Sequence, residues 1–205
     1  MTCASLSSWP RRGAVATALC ALLAGCGGGG DAAAPAAGTV PTTAPVASSP
    51  ATPAATSTGS TCNLADFRAS VLARINQVRA SGANCGAEGM FGAAAPVTWN
   101  DKLTVAAEGH SQDMAAKNYF SHTSADGRTL ADRVDATGYA WSGLGENIAA
   151  GYPGVNAVMD GWIASPGHCA NLMNTGFAEV GVVCVPGTAG DTYSTYWTMD
   201  LGKPR

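Results

Sequence analysis

Residues 27–60 contain almost nothing from which a protein core can be made. The stretch is Gly, Ala, Pro, Thr and Ser with one charge, and Val40 and Val46 are its only larger apolar residues. Prolines at positions 35, 41, 45, 50 and 53 keep it extended, and burial cannot repay the entropy of ordering it. As a tether it reaches from roughly 30 Å as a coil to about 100 Å as a polyproline helix. Whatever folds must come from the residues after it, a length suited to one domain.

What precedes the tether has the three zones of an export signal. Arg11 and Arg12 supply a positive start, and residues 13–24 are uncharged and apolar. That run is about half of the ~20 residues needed to span a bilayer, so a removable signal is expected rather than a permanent anchor. Leu23-Ala24-Gly25-Cys26 matches the bacterial lipobox, in which a cysteine follows directly after the cut. An ordinary cleaved signal ending near a chance cysteine is the alternative. Twin-arginine export is not supported by the flanking Pro10 and Gly13. The predicted division is a signal over 1–25, a lipidated Cys26 with its linker over 26–61, and a folded domain over 62–205.

The seven cysteines sort by position. Cys3 and Cys20 leave with the signal and Cys26 takes the lipid. Cys62, Cys85, Cys169 and Cys184 remain, an even number that predicts two disulfides in an oxidising compartment. Three pairings exist. Cys62–Cys85 with Cys169–Cys184 is preferred because both close short loops, each contributing roughly 3 kcal/mol on the chain-entropy model. A cysteine metal site is disfavoured, since no Cys-x-x-Cys pair occurs.

From residue 61 onward, 9 Lys and Arg face 13 Asp and Glu, because Arg11, Arg12 and Asp31 lie outside. No basic run or basic helix face is present, so no nucleic-acid partner is expected. No internal repeat occurs.

Helical spacing runs through Leu64, Phe67, Val71, Leu72, Ile75 and Val78 and stops near Ser81-Gly82. A second helix is predicted over residues 101–118, with Leu103, Ala106, Ala107, His110 and Met114 on one face. A third carries Leu130 and Val134, where Thr129 and Asp132 are spaced as a capping box. A fourth carries Val155, Val158, Met159, Trp162 and Ile163, and Pro166-Gly167 stops it. Strands come late, over residues 179–185 and 193–201, with a short one at Val97-Thr98-Trp99. Helices segregated from a terminal hairpin define an α+β fold, helices packed around a small antiparallel sheet.

Three histidines are available for chemistry. His110 falls on the apolar face of the second helix, where a buried structural role is expected. His122 ends Tyr-Phe-Ser-His, and His168 follows a helix stop in Ser165-Pro-Gly-His168, positions that are more often reachable. Glu146 lies in the Gly-rich segment Gly143-Leu-Gly-Glu-Asn-Ile-Ala-Ala-Gly151, which has no P-loop lysine. Two histidines and a glutamate suit a catalytic zinc site with an open position, although their spacing forms no local ligand motif. Ser121 and Ser165 sit near histidines, but neither lies in a Gly-x-Ser-x-Gly elbow.

Four motifs occur in one order: His122-Thr-Ser-Ala-Asp-Gly-Arg-Thr, Gly145-Glu-Asn-Ile-Ala, Trp162-Ile-Ala-Ser-Pro-Gly-His168 and Glu179-Val-Gly-Val. Together they resemble the CAP superfamily, the SCP-like extracellular domain, and its bacterial branch above all. The resemblance implies a three-layer α-β-α sandwich whose central cavity is lined by two histidines and two acidic residues able to bind a divalent metal such as zinc. His122, Glu146 and His168 match three of the four. The fourth, an acid three residues after Trp162, is Ser165 here. Glu179 is a more distant substitute that the sequence does not place in the cavity, and Asn147 takes a structural role beside Glu146.

The resemblance fixes a fold better than an activity, and three functions compete. The preferred one is a membrane-tethered binding module whose cleft takes a lipid, peptide or cell-wall ligand, with Trp141, Trp162 and Trp197 as candidate lining residues. The second is a metal-assisted hydrolase in which His122 and His168 hold zinc and Glu146 is third ligand or general base. The third is a stable envelope protein with a vestigial cavity. With no Asp after Cys26, placement in an outer membrane is expected if the cell has two membranes.

Overall fold

The computed structural model describes residues 60–205. The predicted signal, the Cys26 lipidation site and all but the end of the linker lie outside the described residues. Among these, no helix is long and apolar enough to cross a membrane.

Helix α1 spans Phe67–Ser81 and buries Phe67, Val71, Ile75 and Val78, the stripe expected from the sequence. It starts later than the Leu64 periodicity implies, because Cys62, Asn63 and Asp66 adopt left-handed backbone that no helix can include. Gly82 ends it with φ 72°, and a Cβ there would meet the Phe91 carbonyl oxygen at 2.7 Å. A two-residue ladder follows between β1 (Ala83–Asn84) and β2 (Met90–Phe91), and then β3 (Thr98–Trp99).

Helix α2 (Asp101–Lys117) begins at Asn100, whose side chain accepts from the Lys102 and Leu103 N–H groups at 2.9 and 3.3 Å. It ends at Asn118, φ 49°. Helix α3 (Leu130–Ala136) has the predicted capping box, with Thr129 and Asp132 each accepting from the other's backbone N–H.

Two elements depart from expectation. The Gly-rich segment around Glu146 is a ten-residue strand, β4 (Trp141–Ala150), rather than a loop. Its glycines hide the strand signal, and Gly145 is needed for packing, since a Cβ there would lie 2.8 Å from the Phe177 ring. Helix α4 spans Val155–Ala164 and stops as predicted, but Pro166 then opens another helix, α5 (Pro166–Met173). Proline is a natural first helical residue because its missing N–H would have no partner there. His168 therefore sits in a first helical turn and not in a loop.

Strands β5 (Glu179–Pro186) and β6 (Thr195–Pro204) form the expected hairpin. The main sheet has the order β3-β5-β6-β4, with β4 and β6 antiparallel and the short β3 parallel to β5. On one face Phe67, Val71 and Ile75 of α1, Val158, Met159 and Trp162 of α4 and Leu172 of α5 pack on Val180, Val182, Trp197, Met199 and Leu201. On the other lies α2, so close that a Cβ on Gly181 would fall 2.2 Å from the Thr104 nitrogen. Both faces being covered, the polar alternates of β6 are buried too: Thr198 shares a 2.7 Å hydrogen bond with Ser111, and Asp200 is sealed inside. This is a three-layer α-β-α sandwich.

The disulfides overturn the preferred pairing. Cys62 is bonded to Cys184 and Cys85 to Cys169, across 122 and 84 residues. Short loops are entropically cheap, but the layers decide the contacts: residue 61 bridges to β5, and the turn after α1 packs on α5. On the chain-entropy model loops this long are worth about 5 kcal/mol each, more than the short loops would supply.

One buried cation was not anticipated. Arg79 on α1 is wholly inaccessible and donates to four carbonyls, those of Ala95 (2.7 Å), Leu172 (2.7 Å), Asn174 (3.0 Å) and Phe177 (3.1 Å). Burial lowers its pKa. It ties α1 to the carbonyl end of α5 and to the chain entering β5.

Candidate functional site

Strand β4 is an edge strand, and the site is built along it. Glu146 turns toward the α2 side with its side chain 3% exposed. Its Oε1 accepts from His122 Nδ1 at 2.7 Å, and its Oε2 accepts from Arg133 Nη2 on α3 at 2.5 Å. Burial pushes the Glu146 carboxyl up, but the His122 hydrogen bond and the Arg133 charge outweigh it and hold the group below its ordinary range. An ionised Glu146 only accepts hydrogen bonds, so His122 donates from Nδ1 and its Nε2 is left on the exposed side of the ring. The His122 side chain is 57% exposed.

The loop that presents His122 is held at several points. Arg133 Nη1 donates to the His122 carbonyl at 3.1 Å and to Ser124 Oγ at 3.2 Å. Asp113 accepts from the Tyr119 hydroxyl at 2.5 Å and from the Ala125 N–H at 3.0 Å. Burial acts to raise the Asp113 carboxyl, but Lys117, Tyr119 and the Ala125 N–H prevail and hold it at about 2. His110 is the structural histidine expected. It is fully buried, its Nε2 donates to the Ser121 carbonyl at 2.9 Å, and its Nδ1 accepts from Ser124 Oγ at 3.3 Å. Burial lowers its pKa.

His168 reaches the same edge from the opposite layer. Asn147 donates to its carbonyl at 3.0 Å, and Asn171 bridges the Glu146 carbonyl (3.1 Å) and the Asn147 side chain (3.0 Å), so α5 is pinned to β4. Asn147 thus has a structural role, on a strand. Burial lowers the His168 pKa, and the nearby His122 adds to the effect.

Between the two layers a cleft of about 280 Å³ opens over residues 148–150 of β4. Phe120, Tyr152, Trp162, Ser165, His168 and Tyr193 wall it. Phe120 and Tyr193 stand at its mouth, 44% and 36% exposed, with ring centroids 5.8 Å apart. The hydroxyl end of Tyr152 abuts Gly161, where a Cβ would come 2.4 Å from the hydroxyl. Trp162 is the one tryptophan of the three suggested that lines this cleft. Trp197 stacks on Phe67 in the core, and Trp141 donates to Asp135 beside α3.

The donor set does not fit a metal. Both Glu146 oxygens are engaged, and the Arg133 guanidinium on Oε2 stands where a divalent cation would compete with it. Glu179 is occupied elsewhere, accepting from the Tyr139 hydroxyl at 2.6 Å. Among the described residues no group of three or more His, Cys, Asp or Glu is arranged to hold a metal ion. Of the serines, Ser121 Oγ caps the Thr123 N–H at 3.1 Å, whereas Ser165 lies in the cleft wall.

Two residues escape sequence reasoning. Arg133 looks like an ordinary helix-surface arginine, yet its side chain is 3% exposed. Asp200 is directly opposite Glu146 in the β4–β6 register and is wholly buried. Among the described residues its two carboxyl oxygens and Arg133 Nε have no hydrogen-bond partner. Burial, and then the Glu146 charge, raises the Asp200 pKa well above its ordinary value. The available signal was a carboxylate set among Trp197, Met199 and Leu201, where alternation alone places it on a second face without saying that the face is covered.

A sheet enclosed by helices on both faces, with His122 and His168 brought from opposite layers to one strand edge, defines an SCP-like domain. The chain belongs to the CAP family: the model of the cysteine-rich secretory protein family matches residues 72–201. The uncharacterized membrane protein YlbC of Bacillus subtilis is 38% identical over 88 residues, covering 43% of this chain and 25% of that protein. The uncharacterized protein YkwD of the same organism is 36% identical over 87 residues, covering 42% of this chain and 34% of its own. This chain therefore spans about a quarter to a third of the length of these relatives. Among solved structures, an SCP-domain extracellular protein of Bacillus anthracis is 34% identical with a TM-score of 0.47, covering 54% of this chain and 34% of that one. Schistosoma mansoni venom allergen-like protein 4 is 14% identical with a TM-score of 0.48, covering 69% of this chain and 90% of that one.

Proposed function

We propose that this CAP domain is a binding module of the cell envelope and that the cleft along β4 takes a small ligand. One observation carries the reading: the cleft is walled by aromatic rings, Trp162 of α4 and Phe120, Tyr152 and Tyr193 of three connecting loops, and it includes His168 in its wall. Concave, largely apolar sites with a few polar groups are the usual form of small-molecule sites. Glu146 supports this role better than a catalytic one, because its carboxylate is committed to fixing His122 and neutralising Arg133. A lipid on Cys26 and the Pro-rich residues after it would display the domain from a membrane, the outer one in a cell with two, and the two disulfides suit an oxidising compartment.

Ligand-observed NMR with a fragment library tests the binding role. Fragments should compete for one site, and Ser165→Phe, which fills the cleft, should abolish their binding while leaving the circular dichroism spectrum unchanged. Fragment binding that is indifferent to Ser165→Phe would refute it. Mass spectrometry of the native N-terminus tests the anchor: a diacylglycerol-bearing Cys26 is expected, and an unmodified start downstream of Cys26 overturns it.

A further inference from the structure

We infer that the cleft selects an uncharged, polyhydroxylated ring, a neutral sugar residue of a glycan, seated on Phe120 and Tyr193. This rests on the ligand-binding reading above and names the class of ligand.

The first argument is charge. No Lys, Arg, Asp or Glu lines the cleft; its polar side chains are the hydroxyls of Tyr152, Ser165 and Tyr193 and the imidazole of His168. A carboxylate, phosphate or ammonium group entering it would lose water and meet no counter-ion, at a cost of several kcal/mol. Arg133 offers no relief, because it is buried behind Glu146.

The second argument is hydrogen bonding. Tyr and Ser hydroxyls donate and accept, and a neutral imidazole offers one of each. Sugar hydroxyls have the same dual character and can satisfy all of them. An acyl chain would cover these groups and leave them unpaired, which costs more than the chain contacts return at each such group. A site built from groups of this kind discriminates against ligands that lack the matching hydroxyls.

The third argument is shape. Phe120 and Tyr193 are the two exposed large aromatics beside the cleft, and their rings, inclined at 59° to each other, form an aromatic corner at its mouth, either face of which can take a ring. Tyr193 is braced edge-on by Tyr196, centroids 5.9 Å apart, so its ring is held in place. A pyranose ring presents a flat face of C–H groups that packs on an aromatic ring, while its hydroxyls project sideways toward polar neighbours. The 280 Å³ volume is at the lower end for small-molecule sites and is enough for one or two sugar rings.

The test uses the full chain and two neutral probes, the N-acetylglucosamine tetramer chitotetraose and the glucose tetramer maltotetraose, with palmitate as the competing chemistry. Titrations are followed by tryptophan fluorescence and NMR. At least one oligosaccharide should bind with a Kd of about 0.1–5 mM, as open sites of this size do. Phe120→Ala and Tyr193→Ala should each weaken it about tenfold, and Ser165→Phe should abolish it. Between about 0.05 and 0.5 M salt the affinity should change less than about twofold, since no charge pair contributes. Palmitate binding that Ser165→Phe blocks, with neither oligosaccharide bound at about 10 mM, sinks the sugar inference and leaves the cleft reading standing. If no probe binds in a manner sensitive to Ser165→Phe, both fall. Oligosaccharide binding that survives Ser165→Phe also overturns the inference, because the sugar is then bound elsewhere.

Discussion

Glu146 and Asp200 face each other across the β4–β6 ladder, and the fold treats these two carboxyl groups in opposite ways. Glu146 is paired with His122 and Arg133, which hold its pKa below the ordinary value, whereas burial and then the Glu146 charge raise that of Asp200 well above it. Two adjacent carboxyls with one guanidinium cannot both ionise without leaving an uncompensated buried charge.

That division predicts an unusual pH response. The unfolded chain ionises Asp200 at its ordinary value near 3.8, while the folded chain holds the proton to a higher pH. The stabilisation from this group is therefore complete below that ordinary value and declines as pH rises toward the folded pKa, by up to about 1.4 kcal/mol per pH unit. Asp200→Asn keeps the shape and removes the titration. Urea unfolding between pH 4 and 8 should show the variant gaining stability over the parent as pH rises, and a constant difference would refute the protonated state.

Arg133 is the counter-ion on which the site depends. Arg133→Met leaves Glu146 buried with His122 as its one partner, and losing one member of a buried ion pair costs about 3–5 kcal/mol. The His122 loop also loses the bond to its carbonyl. Thermal unfolding should fall accordingly, and hydrogen exchange should quicken over residues 121–125. A variant as stable as the parent would remove Arg133 from this role.

Arg79 is a cation satisfied by carbonyls instead of an acid. Arg79→Met removes four hydrogen bonds and leaves their acceptors buried, a cost of about 2–4 kcal/mol given roughly 1 kcal/mol for each. Arg79→Lys recovers only part, because an ammonium cannot reproduce the fork that spans Ala95, Leu172 and Phe177. Urea midpoints for the two variants check both statements.

Non-reducing peptide mapping should recover Cys62 with Cys184 and Cys85 with Cys169. Replacing Cys85 and Cys169 together by serine should lower stability by about 2–5 kcal/mol and loosen α5, which carries His168. Peptides joining Cys62 to Cys85 would contradict the fold itself.

Gly161 sets the width of the cleft. A methyl group there overlaps the Tyr152 ring, so the ring must move, and both residues line the cleft. Gly161→Ala should weaken ligand binding several-fold, with a stability loss of about 1–3 kcal/mol from overpacking. Unchanged affinity would mean that Tyr152 does not border the bound ligand.

Much of the architecture is legible locally. The α1 stripe, the α2 face with His110, the Thr129–Asp132 capping box and the β5–β6 hairpin follow from periodicity and capping chemistry that operate over a few residues. Strand β4 escapes because Gly145 is required by Phe177, a neighbour distant in sequence. Helix α5 escapes because Pro166, a stop signal for one helix, also starts the next. Motif order brought His122, Glu146 and His168 forward as one site, and the structure sets them along one strand edge.

The sequence by itself determined the positions of helices α1 to α4 and of the β5–β6 hairpin, and which histidine belongs to the core. Those properties depend on composition and short-range spacing. Tertiary structure alone decided the disulfide partners, the burial of Arg79 and Arg133, the opposite pKa shifts of Glu146 and Asp200, and the aromatic cleft. Each depends on which layers of the sandwich meet and on how completely they exclude water, and neither is written in the spacing of neighbouring residues.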